Sequence, residues 1–176
     1  MKYFDELVRS MAWLGEQRNT IFLGQSVEYS GHAMFNTLKD VPMEKRLECP
    51  VAEEMQMGIT LGLCLEGCVP ISIYPRFDFL ILATNQLINH VDKAYAISGG
   101  KLNPNPIIRV SVGSTKPLFP GLQHSQDHTE AFRSMATRLQ VITLEEPEQI
   151  FPAFQQAYNG DRPTLLVEYG DFYSDK

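Results

Sequence analysis

The sequence predicts one α/β domain with a mostly parallel sheet and helices on both faces. Three observations point to this. Short apolar segments rich in β-branched residues recur along the chain, and segments of helical period separate them. No linker, internal repeat or low-complexity run interrupts the alternation. Parallel neighbours need crossover connections, and those crossovers bury the sheet on both sides. A chain of 176 residues is long enough for one domain with a core, so residues 1–176 are expected to form a single unit.

Each element has a local reason. Phe4, Leu7, Val8, Met11 and Ala12 repeat at helical spacing and predict an amphipathic first helix. Thr20 to Gly24 is a short apolar run closed by glycine, a buried strand. Arg46 to Cys49 reads as an extended link, because Pro50 biases Cys49 away from helix. A helix is expected from Glu53 to Leu65, with Gly67 near its C-cap, followed by a strand from Val69 to Tyr74. Leu80 to Ile97 reads as one long helix ended by Ser98-Gly99-Gly100. Pro106 to Val112 is a strand, and Gly113 to Ser125 a loop rich in Gly, Pro and Ser. A helix at 129–137, a strand at 139–143, a helix at 147–158 and a strand at 164–169 complete the alternation. Ligands in such sheets sit beyond the carboxyl ends of the strands, so the loops after Gly24, Tyr74 and Val112 are the places to search.

Composition narrows the function. The net charge of -6 argues against a nucleic-acid partner, which requires clustered Lys and Arg. No stretch is long and apolar enough to span a bilayer. Asp5 and Glu6 stand where a signal peptide would be apolar, and Cys49, Cys64 and Cys68 are odd in number. Both features fit reduced thiols and a cytoplasmic location. Cys64 and Cys68, one turn apart, are expected to be small buried residues on one helix face. His124 and His128 have a spacing seen in zinc sites, but no supporting Cys or carboxylate pattern stands nearby, and no metal ligand is expected in this chain.

The most informative stretch is Cys49-Pro50-Val51-Ala52-Glu53 followed by Gly58-Ile59-Thr60-Leu61-Gly62-Leu63. An acidic residue opens a helix, where the macrodipole favours it. Two glycines four apart share a face and permit close approach of another backbone, within this chain or between subunits. Taken alone, this is also the pattern of a capped core helix.

The spacing from Glu53 to Gly58 and Gly62 resembles the signature of the pyrimidine-binding domain of thiamine-diphosphate enzymes. The resemblance continues in order along residues 5–170, through Phe22-Leu23-Gly24-Gln25-Ser26-Val27, Pro70-Ile71 to Phe77-Asp78-Phe79, Asn85-Gln86-Leu87-Ile88-Asn89 with Lys93, Tyr95 and Ser98-Gly99-Gly100, Pro106-Ile107-Ile108-Arg109 with Gly113, and Gln123-His124-Ser125-Gln126. These motifs are most similar to the beta subunit of 2-oxo-acid dehydrogenase decarboxylase components and the transketolase-like central domain.

The resemblance implies a role for each site residue. Glu53 would hydrogen-bond a ring nitrogen of the aminopyrimidine and favour the imino tautomer that generates the ylide. Phe79 would stack on that ring, although alternating core residues are the plain reading of Phe77 and Phe79. Val51 would contact the pyrimidine through its backbone. His124 would face substrate charge as donor or proton-transfer group; by itself it reads as a loop histidine. Gln25 falls among the cofactor-contacting positions, but Gln25 and Ser26 stand where beta subunits commonly carry acidic residues. Glu54, one residue too close to Gly58, is assigned to solvent or an interface. The loop from Ser114 to Gln123 departs from the family in its length and prolines.

The family's second, C-terminal domain is not expected here. The Gly-Asp-Gly segment with a later Asn that holds diphosphate through magnesium is not matched by Gly160-Asp161-Arg162 or Gly170-Asp171-Phe172. The resemblance therefore implies an alpha-type partner chain carrying the diphosphate and Mg2+ ligands, self-association in an alpha2beta2 assembly, and a subunit inactive alone. The implied reaction is 2-oxo acid decarboxylation or two-carbon transfer. The alternatives are a split transketolase-like enzyme of sugar phosphates and a non-catalytic scaffold that kept the fold.

Overall fold

The structure is a computed structural model that describes residues 2–117 and 119–175; Met1, Lys176 and Leu118 of the proline-rich loop lie outside the described residues. Six strands form one sheet: β1 (Thr20–Gly24), β2 (Arg46–Glu48), β3 (Val69–Tyr74), β4 (Ile107–Val112), β5 (Gln140–Thr143) and β6 (Thr164–Tyr169), in the order β2-β1-β3-β4-β6-β5. Every pairing is parallel, so the sheet is wholly rather than mostly parallel. The extended link after Met43–Lys45 is the edge strand β2.

Alternation along the buried strands divides the core. Ile71 and Ile73 of β3, Ile107 of β4 and Leu166 of β6 face one side. There they meet α1 (Tyr3–Glu16), α2 (Ala33–Asn36) and α7 (Pro147–Asn159). Tyr74, Ile108, Val110, Leu165 and Val167 face the other. That side is covered by α3 (Glu53–Leu65), α4 (Phe77–Leu80), the winding that follows it, and α6 (Thr129–Met135). Burial on both faces is why these strands read as continuous apolar runs. The start of α7 was legible for a further reason: Pro147 opens it, and Glu146 and Gln149 form a capping box.

A charged pair sits inside the first core. Arg109 of β4 donates from Nε and Nη2 to the carboxylate of Glu168 on β6, the latter bond 2.8 Å long, and from Nη1 to Thr37 Oγ1 at 3.1 Å. Neither charged side chain is exposed. Tyr173, in the final helix α8 (Phe172–Asp175), donates to the same carboxylate, and Tyr3 of α1 donates to Leu144 O at 2.7 Å. The bidentate geometry and the extra donors satisfy both charges, which burial would otherwise make costly.

The expected long helix at 80–97 is corrected. Helical winding begins earlier, at Phe77, and divides into α4, a 3-10 turn at Ile81–Ala83, a π-helical stretch at Gln86–Val91 and α5 (Ala94–Ile97). Asp92 N donates to Leu87 O at 2.8 Å, a π-type bond. The wider turn carries the Asp92 side chain inward, where its carboxylate accepts from the backbone of Thr137, Arg138 and Leu139 and from the Thr137 hydroxyl. A tertiary partner some 45 residues downstream thus sets the local winding.

Burial opposes the charged form of Asp92, but the bonds from Thr137, Leu139 and Arg138 outweigh it and hold the pKa below the usual 3.8. A carboxylate with a depressed folded pKa stabilises the fold above its unfolded pKa, and that contribution is lost as pH falls through the folded value. Asp92→Asn is therefore expected to cost about 2 kcal/mol at pH 7. The gap between variant and wild type should shrink as urea unfolding is repeated from pH 5 downward.

Candidate functional site

The carboxyl ends of β1, β3 and β4 lie side by side, so the loops after Gly24, Tyr74 and Val112 share one edge of the sheet. Helix α3 is delivered to that edge from β2 and is anchored by Gln56. The buried Gln56 amide donates from Nε2 to Ser72 Oγ and to Ile73 O, both at 3.0 Å, and its Oε1 accepts from Gln25 Nε2 at 3.1 Å. Thr60 adds a bond to Ser72 Oγ at 2.9 Å. Gly24 makes room for this junction: a Cβ there would lie 2.1 Å from Ile73 O and 3.2 Å from Gln56 Nε2. The loop after Gly24 is gathered by Glu48, whose carboxylate accepts from the backbone N–H groups of Ser26, Val27 and Glu28 at 2.8–2.9 Å.

Around this junction lies a cavity of about 380 Å3, bounded by Gln25, Val51, Glu53, Arg76, Phe79 and Leu82. Its walls are largely apolar, with one carboxyl group at the head of α3. Glu53 is only 4% exposed, yet no described residue hydrogen-bonds its carboxylate. Beside it, sharing His32 and Arg76 as a wall, is a second cavity of about 190 Å3 that reaches Ser111, Ser114 and Tyr173.

Helix α3 is inverted relative to an ordinary surface helix. Its buried face is Glu53, Gln56, Met57 and Thr60, mostly polar, whereas Met55, Gly58, Ile59 and Gly62 point outward. A broad groove of about 860 Å3 runs along that outer face between α3 and Leu82. The glycine pair makes no close contact among the described residues: a Cβ at Gly58 or Gly62 would meet none of them within 4 Å. Glu54 is exposed and accepts from Gln86 Nε2 at 3.3 Å.

Four of the residues singled out in the sequence, Gln25, Val51, Glu53 and Phe79, border the larger cavity. His124 stands one ring further back, its imidazole edge-on to Phe79 at 5.6 Å between centroids. The aromatic pair divides cleanly, since Phe77 is buried and stacked on Phe132. His124 is held through its backbone, where its carbonyl accepts from Arg76 Nη1 at 3.0 Å and packs on Gly113. The preceding loop is tied to the end of β6 by Asp171, which accepts from Ser114 Oγ at 2.6 Å and Thr115 N at 2.8 Å.

His128 packs edge-on to Phe77, with its Nε2 3.6 Å from Asp78 Oδ1. Among the described residues there is no group of three potential metal ligands. The cysteine expectation is corrected. Cys64 and Cys68 are half-buried rather than buried, and Cys68 lies beyond the C-cap of α3 because Gly67 turns the chain at φ 84°.

Two residues that sequence reasoning missed are His32 and Arg76. His32 caps α2, its Nδ1 accepting from Met34 N at 3.2 Å. Burial, with repulsion from Arg76 and Arg109, lowers its pKa to about 4, so it is neutral at physiological pH. The available signal for Arg76 was a lone cation between a fully buried strand and an aromatic pair.

No family model matches the chain. It is 26% identical over 167 residues to pyruvate dehydrogenase E1 component subunit beta of Cyanidium caldarium, covering 93% of this chain and 50% of that one. A chloroplastic E1 subunit beta of Oryza sativa subsp. japonica is 29% identical over 130 residues, covering 74% of this chain and 32% of the relative. The chain is a distant homologue of these E1 beta subunits. It spans between 31% and 50% of the length of the curated relatives it matches. Two solved structures share the fold: a split gene transketolase described as an inactive beta4 tetramer (TM-score 0.72, 17% identity, 94% of this chain and 50% of that one) and a transketolase from Campylobacter jejuni subsp. jejuni NCTC 11168 (TM-score 0.75, 15% identity, 96% and 25%). The homology and the fold agree with the pyrimidine-binding-domain resemblance over most of the chain. No helix of the described residues is long and apolar enough to cross a membrane.

Gly113 is where backbone crowding is most severe, since a Cβ would fall 1.7 Å from His124 O and 2.8 Å from Arg76 Nη1. Gly113→Ala is expected to destabilise the chain by about 1–3 kcal/mol and to expel the His124 loop. Faster amide hydrogen exchange at residues 121–126 would register the change, and wild-type protection there would contradict it.

Proposed function

We propose that this chain is the pyrimidine-binding subunit of a heteromeric thiamine-diphosphate enzyme that decarboxylates a 2-oxo acid or transfers a two-carbon unit. The observation that carries the proposal is the Glu53 carboxyl group, buried on the wall of a largely apolar cavity without an internal partner. The carboxyl group opens onto that cavity, so a ligand that displaces water from it must complete its hydrogen bonding. An aminopyrimidine ring nitrogen is such a partner, and its flat ring suits the space between Phe79 and Leu82.

The residues present fit the cofactor. When bound, thiamine diphosphate supplies a nucleophilic carbon and an electron sink for cleaving or forming the bond next to a carbonyl. Glu53 would hold or release a proton at the ring nitrogen, which is general acid-base work at one atom. Phe79 would fix the ring by stacking, and the Val51 backbone and Gln25 would border its edges. Gln25 is oriented by its bond to Gln56, so a neutral amide replaces an acidic group there. His124, behind Phe79, would serve as a donor or proton-transfer group toward substrate.

A partner chain would hold the diphosphate and its magnesium. The two Gly-Asp pairs of this chain are already engaged. Asp161 lies 3.6 Å from both Arg138 and Arg162, and Asp171 tethers the 114–116 segment. The outward apolar and glycine face of α3, flanked by the groove that begins at Glu53, is the natural seat for that partner or for a second copy in an alpha2beta2 assembly.

Glu53→Gln keeps shape and hydrogen-bonding capacity but removes the transferable proton. Turnover of the assembled enzyme should fall about 10²–10⁴-fold with assembly intact. Unchanged turnover would remove Glu53 from this role and favour a scaffold that kept the fold. Phe79→Ala should weaken thiamine-diphosphate binding by about 1–3 kcal/mol, the scale of aromatic stacking on a base; an unaltered dissociation constant would contradict the stacking assignment.

A further inference from the structure

Arg76 is a cation without a counter-ion at the junction of the two cavities. Arg109, Arg133, Arg138 and Arg162 each lie within 4 Å of a carboxylate, and Arg76 has no such neighbour among the described residues. Its Nη1 is fixed by the His124 carbonyl at 3.0 Å and by the close approach of Gly113. The guanidinium is thus positioned in advance, its remaining N–H groups without a partner among the described residues and its side chain bordering both cavities.

His32 completes the arrangement. Because its Nδ1 accepts from Met34 N, the neutral ring carries its proton on Nε2 and can donate from there. The hydroxyl groups on the smaller cavity are committed as donors: Ser111 to Val112 O, Ser114 to Asp171 Oδ1, and Tyr173 to Glu168. Among the described side chains lining that space, Arg76 and His32 therefore carry the uncommitted donors. At about 190 Å3 it holds roughly six water volumes of ~30 Å3 each, enough for an oxyanion and a short carbon chain.

We propose that Arg76 and the Nε2–H of His32 bind an oxyanion of the substrate, a carboxylate or a phosphate, in the smaller cavity beside Glu53. This inference rests on the larger cavity being the cofactor site, and it gives the substrate a direction: reacting carbonyl toward Glu53, anionic end toward Arg76. A planar guanidinium suits both oxyanions by paired hydrogen bonds. The 2-oxo acid and the sugar phosphate differ in which of them they present.

The test is isothermal titration of the full chain with pyruvate and, separately, with inorganic phosphate, in the absence of thiamine diphosphate and with ionic strength held constant by NaCl. At least one probe should bind saturably to the wild type. Arg76→Met should weaken it about tenfold or more. His32→Asn, which keeps an acceptor for Met34 N but withdraws the ring N–H, should weaken it about threefold to tenfold. This second variant decides the matter if Arg76→Met does not fold. Preference for pyruvate assigns a 2-oxo acid, and preference for phosphate assigns a phosphorylated substrate. Wild-type affinity in both variants, or no saturable binding of either probe, overturns the proposal. Loss of turnover in Glu53→Gln and loss of anion binding in Arg76→Met and His32→Asn report on separate claims.

Discussion

Everything at the candidate site depends on how one polar helix face is pinned to the sheet. Gln56 bridges the Ser72 hydroxyl, the Ile73 carbonyl and the Gln25 side chain, and so joins α3, β3 and the loop after β1 at a single buried point. An apolar residue there could bury as much surface, but it could not set the rotation and depth of the helix through directional bonds. With the helix fixed in this way, Glu53, three residues earlier on the same face, is held at the cavity wall. Gly24 is the counterpart in the sheet, since any side chain there would strike the Ile73 carbonyl that Gln56 uses.

The rest of the scaffold holds the other walls still. The Arg109–Glu168 pair locks β4 to β6 under the loops that follow them and reaches Thr37 and Tyr173 on either side. Glu48 collects the loop after β1, Asp171 the segment after β4, and Asp92 the turn before β5. In each case a carboxylate accepts several donors from backbone or hydroxyl groups, which for the buried Asp92 makes burial tolerable. Glu53 is the exception. The contrast between several satisfied carboxylates and one left open is the structural basis for placing a ligand against it.

Much of the fold was legible in the sequence. The strands at Thr20–Gly24, Val69–Tyr74 and Thr164–Tyr169 are short apolar runs between breakers, and burial on both faces leaves no alternation to confuse them. The winding after Phe77 was not legible, because its π-helical stretch answers to Thr137, Arg138 and Leu139, which approach only when the chain is folded. Helix α2 is a single turn, too short for periodicity to mark. At the site, the spacing from Glu53 to Gly58 and Gly62 and the order of the other motifs identified the cavity's acidic and aromatic walls. The residues alone could not separate Phe77 from Phe79; packing against Phe132 does. Arg76 and His32 escaped notice because their interest lies in what surrounds them, a missing counter-ion and a fixed ring tautomer. Nor could the spacing of Gly58 and Gly62 tell whether they serve a contact within the chain; among the described residues none comes within 4 Å of a Cβ placed at either.

On the proposed function, the Glu53 cavity is half of a thiamine-diphosphate site completed by another chain. The most direct measurement is the thiamine-diphosphate and polypeptide content of the assembly purified natively from its source cells. A stoichiometric second polypeptide is expected, with about one thiamine diphosphate released by acid for each copy of this chain. Recovery of this chain only with itself and without the cofactor would contradict it.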